Sequence, residues 1–235
     1  MLTTLFNEIL YRPLFNALVF LYNIIPGNDF GIAIIILTIL IRIILFPLSY
    51  KSTKSRQAIS LLQPKLKEVQ QKFKAKEDQS REMMKLYKDH KVSPFSGCLP
   101  LLIQFPILIA LYRALINVLK PGSLSALYSF VKNPGTINHL FLGFLDLSKG
   151  NPVLAILAGV SQFFYSKITM KYTPSIGSQK AMASQMLYFM PILTIIIAWT
   201  LPAGLPLYWV ISTVLGLGQE YYLLRKIYGK NQKIS

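Results

Sequence analysis

The sequence predicts an all-α integral membrane protein with five transmembrane helices, an N-terminal interfacial amphipathic helix and a cytoplasmic helical hairpin. Three observations predict this fold class. Of the 235 residues, 53% are hydrophobic and only 14% are charged, whereas a soluble globular domain carries about 25% charged residues. Five apolar segments are long enough to cross a bilayer at about 1.5 Å per residue. One long polar segment, 51–94, separates the first of them from the second.

The chain begins with a predicted amphipathic helix over residues 1–27. Its apolar run from Leu14 to Ile25 is about half of the ~20 residues that a span needs. Apolar side chains recur at helical spacing, while Glu8 and Arg12 fall on other faces. This pattern favours a helix that lies in the outer membrane interface. An uncleaved signal anchor is the alternative.

Apolar length and loop polarity then predict the remaining elements in order. The last two spans form a tight helical hairpin, because only Pro202 to Gly204 separate them. The predicted elements are a first span at 28–50, the cytoplasmic basic hairpin at 51–94, a second span at 95–118, an outer loop at 119–150, a third span at 151–170, a cytoplasmic loop at 171–183, spans at 184–201 and 204–224, and a short basic cytoplasmic tail at 225–235.

The 51–94 segment predicts a pair of short helices. It carries ten lysines and two arginines against five acids. Its predicted break lies near Ala75–Ser80. Two apolar stripes at helical spacing indicate that the helices pack on each other or lie on the membrane; the stripes are Leu62, Leu66, Val69 and Phe73, and Met83, Met84, Tyr87 and Val92.

The distribution of charge predicts the orientation. Nineteen of the 25 lysines and arginines fall in the 51–94 segment, the 165–183 loop and the tail, and only four on the opposite side. The positive-inside rule therefore predicts a cytoplasmic C-terminus and an outer N-terminus. The net charge of +16 could indicate nucleic acid, but this distribution favours anionic phospholipids or a ribosomal surface as partners.

The sequence offers few groups for catalysis or metal binding. A single cysteine, Cys98, excludes an internal disulfide, and two histidines argue against a histidine-based metal centre. We find no Walker-type GxxxxGK loop, no HExxH and no GxSxG. We therefore expect no enzymatic activity and no cofactor.

Arg42 is the most informative residue, because it lies near the middle of the apolar run 32–48. Insertion scales put the cost of such a charge at about 2.5–3.5 kcal/mol. Its side chain could snorkel to the inner headgroups. The other interpretation is a hydrated cavity in the inner half of the membrane. Polar span residues at similar depth favour it, although each alone could be ordinary helix–helix bonding; they are Thr38, Gln104, Ser161, Gln162, Ser212, Thr213 and Gln219.

Several motifs in order carry a family resemblance. They are FGIAIIILTILIRIILFPLSYKSTKS around Arg42, LLQPKLKEVQQKF, EMMKLYKDHKVSPFSGCLPLLIQFPILIALY, DLSKGNPVLAILAGVSQFF and FMPILTIIIAWTLPAGLPLYWVIST. In this order and spacing the chain resembles the YidC-type membrane protein insertases, the family that includes the mitochondrial oxidase-assembly and chloroplast albino-type insertases. The match runs from about Phe15 to the end of the last span.

The resemblance implies an inner-leaflet hydrophilic groove, open to cytoplasm and lipid and closed outside. Arg42 would be its cation, and Thr38, Gln104, Gln162, Tyr208 and Trp209 would line it or contact substrate. Such a protein would move short hydrophilic segments of nascent membrane proteins through the groove without nucleotide hydrolysis. The hairpin would help to receive substrate.

The sequence departs from the family pattern in several places, and these departures limit the domains and partners that we expect. The sequence shows no large outer β domain and no lipoprotein cysteine. Its short tail makes ribosome binding weak at most. A secretory translocon is a further expected partner. The Met1 start without a transit peptide favours a bacterial plasma membrane. Two alternatives stay open: a small-solute transporter or channel, and a passive scaffold for membrane-protein assembly.

Overall fold

The computed structural model describes residues 2–93, 99–119, 126–171 and 178–231. Most of the described chain is helical. Parts of six predicted segments lie outside the described residues: residue 1 of the N-terminal helix, 94 of the hairpin, 95–98 of the second span, 120–125 of the outer loop, 172–177 of the cytoplasmic loop and 232–235 of the tail.

The N-terminal segment is helical from its second residue. Helix α1, Leu2–Phe6, continues through a π-helical turn at Asn7–Tyr11 into α2, Arg12–Ile24. One face of α2 packs against α3 and α6 and holds fully buried Phe15 and Leu18. The opposite face of α2 leaves large apolar side chains exposed, among them Phe20 and Ile24, and Ile9 in the π-helical turn is also exposed.

Helix α3, Phe30–Leu61, is 32 residues long and extends past the predicted span. It begins where the carboxylate of Asp29 accepts a hydrogen bond from the amide of Ile32 at 2.9 Å, the usual arrangement of an N-cap. Helix α4, Gln63–Lys72, and α5, Lys76–Asp89, then pack on each other. Leu66 and Tyr87 are buried between them, and this burial raises the pKa of the Tyr87 hydroxyl.

The remaining helices form a bundle with α3. They are α6, Leu99–Leu119, α7, Pro152–Lys171, α8, Ser178–Thr200, and α9, Gly204–Asn231. Helix α9 packs on both α3 and α7, and α7 packs on α8. By length and composition, two helices of the described chain could cross a membrane: Phe30–Leu61 and residues 152–170 of α7. The prediction of five spans goes further than this finding.

Residues 126–151 connect several helices at one end of the bundle, which we call the loop end. Strands β1, Leu140–Phe141, and β2, Leu145–Asp146, form a short antiparallel pair there. Backbone bonds from Ala203 and Gly204 to the carbonyls of Lys149 and Leu147, at 2.8 and 3.1 Å, tie this segment to the start of α9. The opposite end, with α4 and α5, is the basic end.

Asp146 stabilises the turn that follows β2. Both the hydroxyl and the amide of Ser148 donate to its carboxylate, at 2.5 and 2.9 Å. These hydrogen bonds, with a smaller contribution from Lys149, lower the pKa of Asp146 from 3.8 to about 2, because they favour the charged form.

Candidate functional site

A cleft of about 500 Å³ lies between α3 and α9. Helical spacing places its lining on one stripe of each helix. Most lining side chains are apolar, with one arginine and one glutamine among them: Ile39, Arg42, Ile43, Phe46, Pro47, Leu215, Gln219 and Tyr222. The cleft is therefore less hydrophilic than the resemblance implies, and its polar edge is confined to Arg42, Gln219 and the adjoining Ser212.

The guanidinium of Arg42 is held against α9. Its Nε and Nη2 atoms both donate to the Oγ of Ser212, at 3.2 and 3.0 Å. The guanidinium lies close over Gly216, where a Cβ would come 2.9 Å from Nη2, so a larger residue there would displace the end of the arginine side chain. Among the residues that the structure describes, no carboxylate forms an ion pair with Arg42. It is thus a half-buried cation whose neighbours are a hydroxyl and apolar side chains.

A second arginine of the same helix is neutralised. Arg56 binds both carboxylate oxygens of Glu220 on α9, at 2.7 and 2.8 Å, and the two side chains are only 7% and 5% exposed. Thr53 accepts from Arg56 at 2.9 Å and donates to Glu220 at 3.1 Å. This closed network joins α3 to α9 and neutralises the charge of Arg56.

This ion pair was not predicted from the sequence. A signal was available, because Glu220 is the single acid within the predicted span 204–224. An acid within an apolar helix needs a partner or water. The sequence alone does not say which of the 25 cations supplies it.

A hydrogen-bonded layer lies on the loop-end side of Arg42. Gln104 of α6 donates to the hydroxyl of Tyr208 on α9, and Tyr208 is fully buried. Ser212 follows Tyr208 by one turn of α9. Gln104 with Tyr208, and Arg42 with Ser212, thus form two hydrogen-bonded pairs one turn apart in an otherwise apolar core.

The other candidate residues make different contacts. Thr38 is fully buried and donates to the carbonyl of Ile34, one turn earlier in α3, at 2.6 Å. On α7, Ser161 donates to the carbonyl of Ala158 at 3.0 Å, and Gln162 is half-buried beside it.

On α9, Thr213 donates to the carbonyl of half-buried Trp209. Gln219 lines the cleft, and its buried Nε2 has no hydrogen-bond partner within the described chain. In the same ranges, no three histidine, cysteine or acidic side chains come together as metal ligands would.

These features define a class: a helical membrane protein whose cleft between two long helices holds a cation that no carboxylate of the described chain pairs with. Comparison with known proteins gives the family. Residues 20–231 match the model of the 60Kd inner membrane protein family. The chain therefore belongs to this family, the YidC-type membrane protein insertases. The family name together with bacterial relatives indicates a protein of a bacterial membrane.

Individual relatives agree with this assignment. The chain is 34% identical to membrane protein insertase YidC 2 of Bacillus anthracis, over 94% of this chain and 82% of the relative. It is 36% identical to the YidC insertase of Fusobacterium nucleatum, over 92% and 98%. The Lawsonia intracellularis YidC is 37% identical, but only 39% of its length is covered. A crystal structure of an active YidC insertase is similar with a TM-score of 0.61 at 29% identity, covering 90% of this chain and 46% of that one.

Proposed function

We propose that this chain inserts nascent membrane proteins by accepting a short hydrophilic segment, often acidic, in the α3–α9 cleft. The observation that carries the proposal is the contrast between two arginines of one helix: Arg56 has a buried carboxylate partner, whereas Arg42 has none among the described residues. A half-buried cation without a counter-charge is costly in an apolar setting. A transient carboxylate from a client would supply the missing charge.

The chemistry of the guanidinium suits this role. It stays charged at any physiological pH and offers several donors, of which Nε and Nη2 are engaged with Ser212. The Nη1 atom is available for a carboxylate. Pairing offsets part of the cost of carrying that carboxylate into the bilayer. Because the client makes only one ion pair, with a half-buried side chain, it is bound weakly and can be released.

Lipid then receives the apolar part of the client. The cleft is lined mainly by apolar side chains, of which Ile43 is 62% exposed. A client helix that leaves along this surface gains about 25 cal/mol for each Å² of apolar area that it buries. No nucleotide is hydrolysed in this scheme. The membrane potential adds about 2.3 kcal/mol per 100 mV for each acidic charge that moves outward.

We propose an orientation with the basic end in the cytoplasm and the loop end outside, with five spans. The excess of lysine and arginine at the basic end supports it. Helices α4 and α5 would then meet clients first and contact anionic phospholipids. Weak ribosome contact through these helices and a secretory translocon as a second partner are further parts of the proposal.

Reconstitution of the pure protein in liposomes tests the function. The substrate is a translocon-independent single-span protein with a short acidic tail. Arg42→Lys should retain much of the insertion and Arg42→Glu should abolish it. Lys132→Glu makes the same charge change at an exposed loop-end position and should insert normally. Normal insertion by Arg42→Glu would contradict the proposal.

The same liposomes separate the alternatives. A solute transporter or channel needs a path to both faces, and the bonded layer of Gln104 and Tyr208 on the loop-end side of Arg42 argues against one. Conductance without insertion would favour the channel. A passive assembly scaffold would show neither conductance nor insertion when it is the only protein present.

A further inference from the structure

The turn between β1 and β2 carries an unusual apolar tip. Residues 140–145 read LFLGFL, without a charged or polar side chain, between His139 and Asp146. At the tip, Leu142 is 58% exposed and Phe144 is 76% exposed. Exposed apolar clusters of this kind mark sites that contact a protein, a ligand or a membrane.

The backbone of the tip adopts a conformation that its residue types disfavour. The turn closes through a bond from the amide of Phe144 to the carbonyl of Phe141 at 3.3 Å. Both central residues have positive φ, +52° at Leu142 and +79° at Gly143. Glycine and asparagine are the residues that such positions prefer. Retaining an exposed leucine in a left-handed conformation costs stability, and strain of this kind points to a functional contact.

Several contacts fix the tip beside the first turn of α3. The second carboxylate oxygen of Asp29, the cap of α3, accepts from the amide of Leu142 at 2.7 Å. The ring of Phe141 lies against Gly31, where a Cβ would come within 2.2 Å of it. The strand pair therefore contacts the first turn of α3. The bonds from Gly204 and Ala203 hold the following residues at the start of α9.

From this placement we infer that the β1–β2 tip inserts Leu142 and Phe144 into the outer leaflet, between headgroups and acyl chains. The inference rests on the proposed orientation, in which α3 begins at the outer boundary of the membrane. An uncharged tip held beside the first turn of a span lies at interfacial depth, where apolar side chains partition into lipid. The tip is separate from the α3–α9 cleft and gives the loop end a second lipid contact besides the N-terminal helix.

Site-directed spin labelling tests this directly, because Cys98 is the single cysteine and Cys98→Ser gives a cysteine-free background. Leu142→Cys and Phe144→Cys are labelled separately in vesicles of phosphatidylethanolamine and phosphatidylglycerol. Thr136→Cys, exposed in the same loop, is the matched control. Collision rates are measured with oxygen, which concentrates in lipid, and with a water-soluble nickel chelate.

The oxygen-to-nickel ratio at 142 and 144 should be severalfold higher than at 136. A ratio equal to that of the control would overturn the inference, as would low accessibility to both reagents, which would indicate a protein partner or a second copy. A label at Leu140 should shift toward water when Leu142→Asn and Phe144→Ser are combined, since asparagine suits the turn and keeps it folded. Insertion is assayed on the same samples: water-exposed labels with normal insertion would reject the tip inference alone.

Discussion

Replacing Glu220 by glutamine perturbs the buried ion pair that joins α3 to α9. The carboxylate receives Arg56 Nη2 at 2.7 and 2.8 Å and a Thr53 hydroxyl at 3.1 Å, with both charged side chains at least nine-tenths buried. Glutamine keeps the shape and one acceptor oxygen. It removes the charge and leaves Arg56 as a buried cation.

The expected loss of folding free energy depends on the hydrogen bonds that Arg56 retains. Breaking a buried pair by removing one partner costs about 3–5 kcal/mol. Arg56 retains its bond to Thr53 and can bond the glutamine oxygen, so we expect the lower end, about 3 kcal/mol. Replacing both partners with apolar residues of similar volume, Arg56→Met with Glu220→Leu, removes the uncompensated charge and should cost less than about 1 kcal/mol.

Unfolding in mixed micelles of mild detergent and dodecyl sulfate, followed by circular dichroism, measures both variants. Glu68→Gln, an exposed change of the same chemistry on α4, is the control and should stay within about 0.5 kcal/mol of the parent. The reasoning is refuted if Glu220→Gln is as stable as Glu68→Gln. It is also refuted if the double variant is as unstable as the single one.

Three further changes test the packing and the loop end. Gly31→Ala should cost about 1–3 kcal/mol by overpacking against Phe141, and Phe141→Ala in the same chain should recover part of it in the unfolding assay. Gly159→Ala should destabilise the α7–α8 contact, because its Cβ would lie 2.9 Å from a backbone carbonyl of α8; Ala155→Gly is the reference for a small-residue change on α7. Folding lowers the pKa of the Asp146 carboxyl from 3.8 to about 2. The charged carboxylate therefore stabilises the fold above pH 3.8, and this contribution is lost as the pH falls toward 2. Asp146→Asn should flatten that part of a pH–stability curve, and an unchanged slope would argue against this contribution.

The sequence was sufficient for the family and for a mainly helical fold. The YidC-type assignment is confirmed by the family match, and the described chain is mainly helical. Apolar length and the order of motifs are one-dimensional properties, so they can be read without a structure. The ends of helices are harder to predict, because a change to polar residues marks the edge of the membrane and not the end of the helix. Helix α3 continues to Leu61 because no residue between 50 and 61 interrupts it.

The contacts within the site were harder to predict from the sequence. Their predicted depth in the membrane places Arg42 near Ser212 and Gln104. Depth alone does not show which hydroxyl groups form hydrogen bonds between helices. Thr38 and Ser161 donate to carbonyls of their own helices, a local alternative that serine and threonine always have. Arg56 and Glu220 are 164 residues apart, and a pairing at that separation leaves no periodic signal.

The strand pair was also beyond sequence reasoning. Two-residue strands at 140–141 and 145–146 are too short for an alternating pattern, and the predicted all-α class contains no strands. Their position depends on Asp29 and Gly31, more than 100 residues earlier. Tertiary contacts of this kind decide the conformation of short loop segments.

The central claim is that the charge of Arg42, reached from the basic end, binds clients. In a Cys98→Ser background, Arg42→Cys should lose insertion of the acidic-tailed substrate. A membrane-impermeant trimethylammonium thiosulfonate, added at the basic end of the reconstituted protein, should restore it by placing a cation at position 42. The anionic sulfonate analogue should not. Equal recovery with the anionic reagent, or full insertion by unmodified Arg42→Cys, would contradict the account.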